Sequence, residues 1–273
     1  MNKEAYFIQQ FSNSKFIGDD GAAVGKWVYS MDAFCEHVHF KRHWMSLKQI
    51  AQKAMLVNIS DAIAMNAKPK YALLSVAIPK DFSAKQLKQL GKGFKQAAKM
   101  YDIEIIGGDT IANDRLDISI TIISKTKKPL LRSNMKEGDY ICYTGDLGSC
   151  KKDLEALLRN ETIEPSSKFI TPKLKADFLY QAAPYMNAGL DISDGLFFEL
   201  QRLSQANHLG FEFLKQVDKQ MGCSGEEYEL LFTFKPKHLE KIKKIAKKYK
   251  VKLNIVAKAI QGSYKCECKG HHF

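Results

Sequence analysis

The sequence predicts a mixed α/β protein built as two consecutive halves, and three observations carry the prediction. The chain has 273 residues, enough for one large domain or two ordinary ones. Its apolar pattern alternates between strand and helix periods in the first half, then starts a second run of elements. Between the runs, Pro129 and its charged neighbours interrupt the pattern, which divides the chain into residues 1–130 and 131–273.

In chain order, WVYSMDAF at 27–34 reads as a strand. A helix is expected from Leu47 to Met65, with Leu47, Ile50, Ala51, Ala54, Val57 and Ala62 on its apolar side. ALLSVAIP at 72–79 is a strand that Pro79 stops. Ser83 caps a helix whose buried stripe is Leu87, Leu90, Phe94 and Ala97. IEIIGG at 103–108 and the alternating LDISITIIS at 116–124 are further strands. The second half opens with a strand at 140–145, followed by helices over 151–159 and 173–183. GLDISDGLFFELQRLSQ turns from a short strand into a helix. YELLFTF, a lysine-rich helix over 236–252 and the strand KLNIVAKAI complete the chain.

Composition narrows the function classes. Apolar residues make up 45%, enough for a core, and no apolar run approaches a membrane span. MNKEAYFIQQF lacks the features of a secretion signal, so a cytoplasmic protein with reduced thiols is expected. Cys266-x-Cys268 with His271 and His272 departs from zinc-finger spacing, and no second cysteine pair accompanies it. The net charge of +12 is concentrated in residues 236–252, where Leu239, Ile242, Ile245, Ala246 and Tyr249 share one helical face. Lysines on the remaining faces read as a solvated surface, and no nucleic-acid motif accompanies them.

The chemistry lies in the aspartates. Asp19-Asp20, Asp32, Asp61, Asp109, Asp191 and Asp194 each follow or interrupt a hydrophobic run. A single such residue reads as a cap or turn, but six places in one chain point to convergence. Two carboxylates about 4 Å apart repel by roughly 4 kcal/mol at an effective dielectric near 20, so a cluster needs cations. Hard oxygen ligands favour magnesium, calcium or manganese, and magnesium shared with phosphates suits nucleotide chemistry. Gly107 and Gly108 would let a phosphate approach the backbone beside Asp109. The P-loop and kinase catalytic-loop motifs are missing. One internal echo links the halves: Asn58–Ile63, NISDAI, resembles Asp191–Leu196, DISDGL.

IGDDGAAV, SMD, HVHF, NISDAIAMNAKP, IIGGDT, EGDYICYTGDLG, LDISDGL and GEEYELLFT occur in the order found in the thiamine-monophosphate kinase family. The chain resembles that family from about Gly18 to Phe273, within the superfamily of aminoimidazole ribonucleotide and selenophosphate synthetases. The resemblance implies two α+β domains. The N-terminal one would present a four-stranded sheet that forms a barrel across a homodimer, and an α/β C-terminal domain would complete the site. It implies ATP-dependent phosphorylation of thiamine monophosphate, with Mg2+ as cofactor and neither nucleic acid nor membrane as partner. The implied metal ligands are Asp20, Asp32, Asp61, Asp109 and Asp191, with Ser30 and Met31 nearby and Asp194 on a further ion. Tyr101, Gly108, Asp109, Arg132 and Ser193 would meet the nucleotide, with Asp109 and Arg132 catalytic. His39, Glu226 and His271 would meet the acceptor.

Departures from the family pattern fall mostly on the acceptor side. Met31 replaces a threonine, leaving only a backbone carbonyl as a ligand there. Asn66 replaces a glycine, which it can mimic at positive φ. Ser224 and Glu227 replace a glycine and an aspartate, and His271 stands where an aromatic residue is usual. Two alternatives compete: another ATP-dependent synthetase of the superfamily, or a basic nucleic-acid-binding protein on a degenerate scaffold. The first cysteine, Cys35, lies beyond the first acidic motif, unlike the reactive cysteine of selenophosphate synthetases.

Overall fold

The structure, a computed structural model, describes residues 3–11 and 13–268. After a short helix α1 (Lys3–Gln9), the first half builds one open sheet. Its strands are β1 (Ala22–Val24), β2 (Trp27–Cys35), β3 (Lys68–Pro79), β4 (Glu104–Asn113) and β5 (Asp117–Lys125), in the spatial order β1-β2-β5-β3-β4. The sheet therefore has five strands, not the four that the resemblance implied, because the short hairpin strand β1 adds to β2. In β5, Ile118, Ile120 and Ile122 alternate inward as a half-buried strand requires. β3 and β4 run parallel, joined through α3 (Ala84–Met100).

Two capping boxes set the helix starts. Ser46 caps α2 (Leu47–Ala64) with Gln49, and Ser83 caps α3 with Gln86. The expected stripe on α2 proves too narrow, since nearly every residue of that helix is buried. α2 packs on the first sheet, on α3 and on the second half, which covers it on all sides. On α3 the buried stripe begins at Leu90, a turn later than expected, and Leu87 is exposed. Gly93 is the close-approach point of the two helices, where a Cβ would stand 2.2 Å from the Lys48 carbonyl oxygen.

β4 corrects a second expectation. The strand does not end at its glycines but runs on to Asn113, paired throughout with β3. Opposite Ala72 and Leu73 the register shifts by one residue, a bulge that leaves Ile106 of β4 without a partner in the ladder. A Cβ on Gly108, at φ 147°, would lie 1.7 Å from the Leu74 carbonyl oxygen. Strand packing therefore demands glycine at Gly108 whether or not a phosphate approaches.

The second half forms another five-stranded sheet, ordered β7-β9-β6-β10-β8. Its strands are β6 (Tyr140–Thr144), β7 (Ala188–Asp191), β8 (Leu209–Phe213), β9 (Leu230–Phe234) and β10 (Leu253–Gln261). Helices α4 (Ser149–Leu158), α5 (Ala176–Ala182), α6 (Leu196–Asn207), α7 (Lys219–Gly222) and α8 (Leu239–Lys248) surround it. One hydrophobic cluster runs from Ile118 and Ile120 of the first sheet to Phe232 and Phe234 of the second. The halves thus share a core, with α2 between them. Among the described residues no helix is long and apolar enough to cross a membrane.

The expectation of reduced thiols fails at one pair. Cys223 and Cys268 form a disulfide. After β10 the chain folds back on α6, where the Tyr264 N–H donates to Ser204 Oγ at 2.8 Å and the Cys266 N–H to Gln201 Oε1 at 2.8 Å. That path delivers Cys268 to the end of α7, beside Cys223.

Candidate active site

A cleft of about 1300 Å³ opens between the two halves. β2 supplies Asp32, α2 supplies Asp61, the end of β7 supplies Asp191, and the loop before β1 supplies Asp19 and Asp20. Ser193, Asp194, Arg132, His39, Met31 and Glu226 also line it. The two echoed segments meet here: Ser60 Oγ donates to Asp191 Oδ2 at 2.5 Å. One segment lies within a helix and the other at a strand end, so the echo is one of position in the site rather than of local structure.

The carboxylates repel one another in poorly solvated surroundings. Burial lifts the Asp61 carboxyl well above its ordinary range, and Asp32, Asp191 and Asp20 push it further. Burial also raises Asp191, helped by Asp20 and opposed by the Ser60 hydroxyl. Asp19 is raised by burial, partly offset by the Arg132 backbone N–H, which donates to it at 2.6 Å. Arg132 is the cation within this group. Its Nε and Nη2 donate to Asp20 Oδ1 at 3.2 and 2.5 Å, while Asp20 Oδ2 is buried with no hydrogen-bond partner among the described residues. Burial alone would lower the Arg132 pKa, but Asp20 and Glu199 carry it upward, keeping the guanidinium charged.

The surrounding shell is ordered by polar contacts. Asn58, buried on α2, accepts the Asp32 N–H at 2.7 Å and receives Ser30 Oγ–H on its backbone carbonyl at 3.3 Å. Arg202 donates to Asp194 Oδ2 at 2.5 Å and to both oxygens of Glu199, at 2.7 and 2.8 Å. His39 Nδ1 accepts the Cys35 N–H at 2.9 Å, which leaves Nε2 to carry the neutral ring's proton, and its ring stacks on Phe34.

Three sequence-predicted residues lie elsewhere. Gly108 and Asp109 sit on β4, an edge strand separated from β2 by β5 and β3, and neither lines the cleft. Asp109 is exposed, and its Oδ1 accepts the neighbouring Thr110 N–H at 2.8 Å. Tyr101 caps the end of α3 in contact with the core, away from the carboxylates. Burial and Asp177 push its hydroxyl up to about 12. A single chain therefore gathers Asp20, Asp32, Asp61, Asp191 and Asp194, but not Asp109. His271 lies outside the described residues. Among the described residues no group of three His, Cys, Asp or Glu side chains already stands in metal-holding geometry.

The structure accounts for the departures at Asn66, Ser224 and Glu227. Asn66 adopts φ 55° and donates from Nδ2 to the Lys128 carbonyl at 2.9 Å. Glu227 Oε1 accepts the Gly148 N–H at 2.6 Å, and Ser224 Oγ accepts the Lys151 N–H at 3.1 Å, so both cap α4. Met31 is exposed on the cleft wall and has no structural partner that explains it.

Sequence reasoning passed over Lys53. This lysine is fully buried on α2, ion-paired with Glu226 and 3.7 Å from the centroid of the Phe169 ring. The available signal was its place between Ile50 and Val57, on the apolar stripe.

An open sheet joined to a second sheet-and-helix half, with a carboxylate-and-arginine cleft between them, defines a mixed α+β class of protein. Residues 18–126 match the family described as AIR synthase related protein, N-terminal domain. The chain is 31% identical over 254 residues to the thiamine-monophosphate kinase of Aquifex aeolicus (strain VF5), covering 83% of each chain. It is likewise 31% identical to that of Buchnera aphidicola subsp. Schizaphis graminum, over 89% of this chain and 83% of the relative. The solved structure of AaThiL complexed with AMPPCP and TMP superposes with a TM-score of 0.88 at 27% identity, covering 99% of this chain and 96% of that one. The HypE–HypF complex, at 17% identity and a TM-score of 0.78, shares the fold. The chain belongs to the thiamine-monophosphate kinase family.

Proposed function

We propose that this protein transfers the γ-phosphoryl group of ATP to thiamine monophosphate, forming thiamine diphosphate and ADP. A terminal phosphate oxygen of the monoester attacks the γ-phosphorus, and the bond from that phosphorus to the β,γ-bridging oxygen breaks. The monoester's second pKa is near 6, so the nucleophile is already mostly dianionic at pH 7 and needs no general base. The remaining barrier is repulsion between two polyanions, together with their alignment. Arg132, charged and fixed by Asp20, would hold phosphate oxygens at the cleft, which Ser193 also lines. His39 and Glu226 line the same cleft and would meet the acceptor, as would His271.

The observation that carries this reading is the convergence of Asp20, Asp32, Asp61 and Asp191, with Asp20 Oδ2 buried and unpartnered. Such a donor set, hard and anionic, suits Mg2+, and Asp194, Ser30 and the Met31 carbonyl would extend it. When bound, Mg2+ would neutralise phosphate charge and make the carboxylate cluster tolerable.

Asp109, Gly108 and Tyr101 require a second copy in this account. β4 is an exposed edge ten residues long, with Ile106 and Ile111 uncovered, and Tyr29 and Met31 are uncovered on β2. Such an edge pairs readily with another strand. We assign it to a homodimer in which two first-half sheets close a barrel and the β4 edge of one copy joins the cleft of the other. Within each copy, residues 1–130 would supply the dimer face and most metal ligands, and residues 131–273 would close the site. The test supplies purified protein with ATP and Mg2+, in turn with thiamine monophosphate and with the acceptors of the related synthetases. Thiamine diphosphate formed in equal amount to ADP supports the reading; ADP formed only with another acceptor overturns it.

A further inference from the structure

Lys53 is an unusual residue to find without solvent. It has no exposed surface, and a buried ammonium is costly unless it is paired. Its Nζ pairs with Glu226 Oε2, lies 3.7 Å from the Phe169 ring centroid and 5.7 Å from that of Phe34. The carboxylate and the two aromatic faces together replace its hydration shell. Phe34, Phe169 and Glu226 all line the cleft.

Glu226 is held from three directions. Its backbone adopts φ 59°, a left-handed conformation that glutamate rarely takes. Its N–H donates to the Ser193 carbonyl at 2.6 Å, tying it to the loop that carries Asp194. Lys53 then engages Oε2, while Oε1 makes no hydrogen bond among the described residues. The pair also crosses between the halves, from α2 to the loop before β9.

We propose that Lys53 is a positioning residue for acceptor recognition. By holding Oε2, it aims Glu226 Oε1 at the N–H-bearing or positively charged heteroaromatic part of the acceptor. The inference rests on the acceptor site proposed above. It predicts that Lys53 acts through Glu226 and not on the nucleotide.

The experiment is steady-state kinetics on Lys53→Met, Glu226→Gln and the double variant, with melting curves for each. Lys53→Met is expected to raise KM for thiamine monophosphate at least tenfold, while KM for ATP stays within about twofold. Glu226→Gln should do the same, and the double variant should be no worse than Glu226→Gln alone. Lys53→Gln keeps one N–H donor toward Glu226 and should recover part of the acceptor affinity. An unchanged acceptor KM in Lys53→Met overturns the inference. So do single-variant effects that multiply in the double variant, or a Lys53→Gln no better than Lys53→Met, because either would show a purely structural lysine. Wild-type protein that neither binds nor phosphorylates thiamine monophosphate would instead overturn the acceptor reading itself, and this inference with it.

Discussion

Replacing Asp61 with asparagine should stabilise the metal-free protein while abolishing turnover. Asp61 is buried, and its carboxyl is raised by burial and by Asp32, Asp191 and Asp20. No hydrogen bond to its side chain offsets this among the described contacts. For scale, two unit charges about 7 Å apart at an effective dielectric near 20 repel by about 2 kcal/mol. Partial protonation already relieves some of that, so the neutral isostere should gain about 1–3 kcal/mol. For a protein of this size that is a rise in Tm of about 2–5 °C. The assay is thermal unfolding in EDTA at pH 8, followed by the same scan with Mg2+ and a non-hydrolysable ATP analogue. Wild type should gain more from the ligands than Asp61→Asn does. A variant that melts lower than wild type in EDTA, yet keeps native circular dichroism, would refute the electrostatic argument.

The pH dependence has a definite sign. Asp61 and Asp191 carry folded-state pKa values above the ordinary 3.8, so the folded state binds their protons more tightly than the unfolded state. Their contribution is fully present below pH 3.8 and is lost as pH rises through the folded values. The upshift in Tm on adding Mg2+ should therefore be larger at pH 8 than at pH 5, as scanning calorimetry would show. Asn66→Ala should cost about 1–2 kcal/mol in urea unfolding, through the left-handed backbone and the lost bond to Lys128, whereas Asn66→Gly should cost less. Glu227→Ala should destabilise by about 1–3 kcal/mol, since it uncaps α4 and takes away the nearer carboxylate of Lys168, which keeps Glu229 and the Asp146 carbonyl; Glu227→Gln should lose less in the same titration. Alkylation of the denatured protein without reductant should label Cys35, Cys142, Cys150 and Cys266, and reduction should add Cys223 and Cys268. Equal labelling with and without reductant would contradict the disulfide.

Much of the fold was legible because local signals agreed with the tertiary outcome. Ser83 reads as a cap and is one, and the β5 isoleucines alternate and are buried on one face. What failed depended on partners distant in sequence. Burial all round α2 comes from the second half, which no window over residues 47–64 reveals. Gly107 and Gly108 read as a strand end, but the nearby β3 backbone accounts for Gly108 and the strand continues. The Cys223–Cys268 bond spans 45 residues and depends on the path taken after β10. At the site, apolar flanks picked out the aspartates that a single chain gathers. The same signal could not tell that Asp109 rides on an edge strand, away from the cleft that the other aspartates line. Lys53 escaped because one lysine on an apolar stripe carries little weight until its partner Glu226, 173 residues away, is in view.

On the proposed function, carboxylates from separate elements would tolerate one another, and grip a nucleotide, through divalent cations. Isothermal titration of a non-hydrolysable ATP analogue into the protein, with Mg2+ and then with EDTA, tests it most directly. Binding should be seen with Mg2+ and should weaken at least 100-fold in EDTA. Equal affinity in both conditions would contradict it.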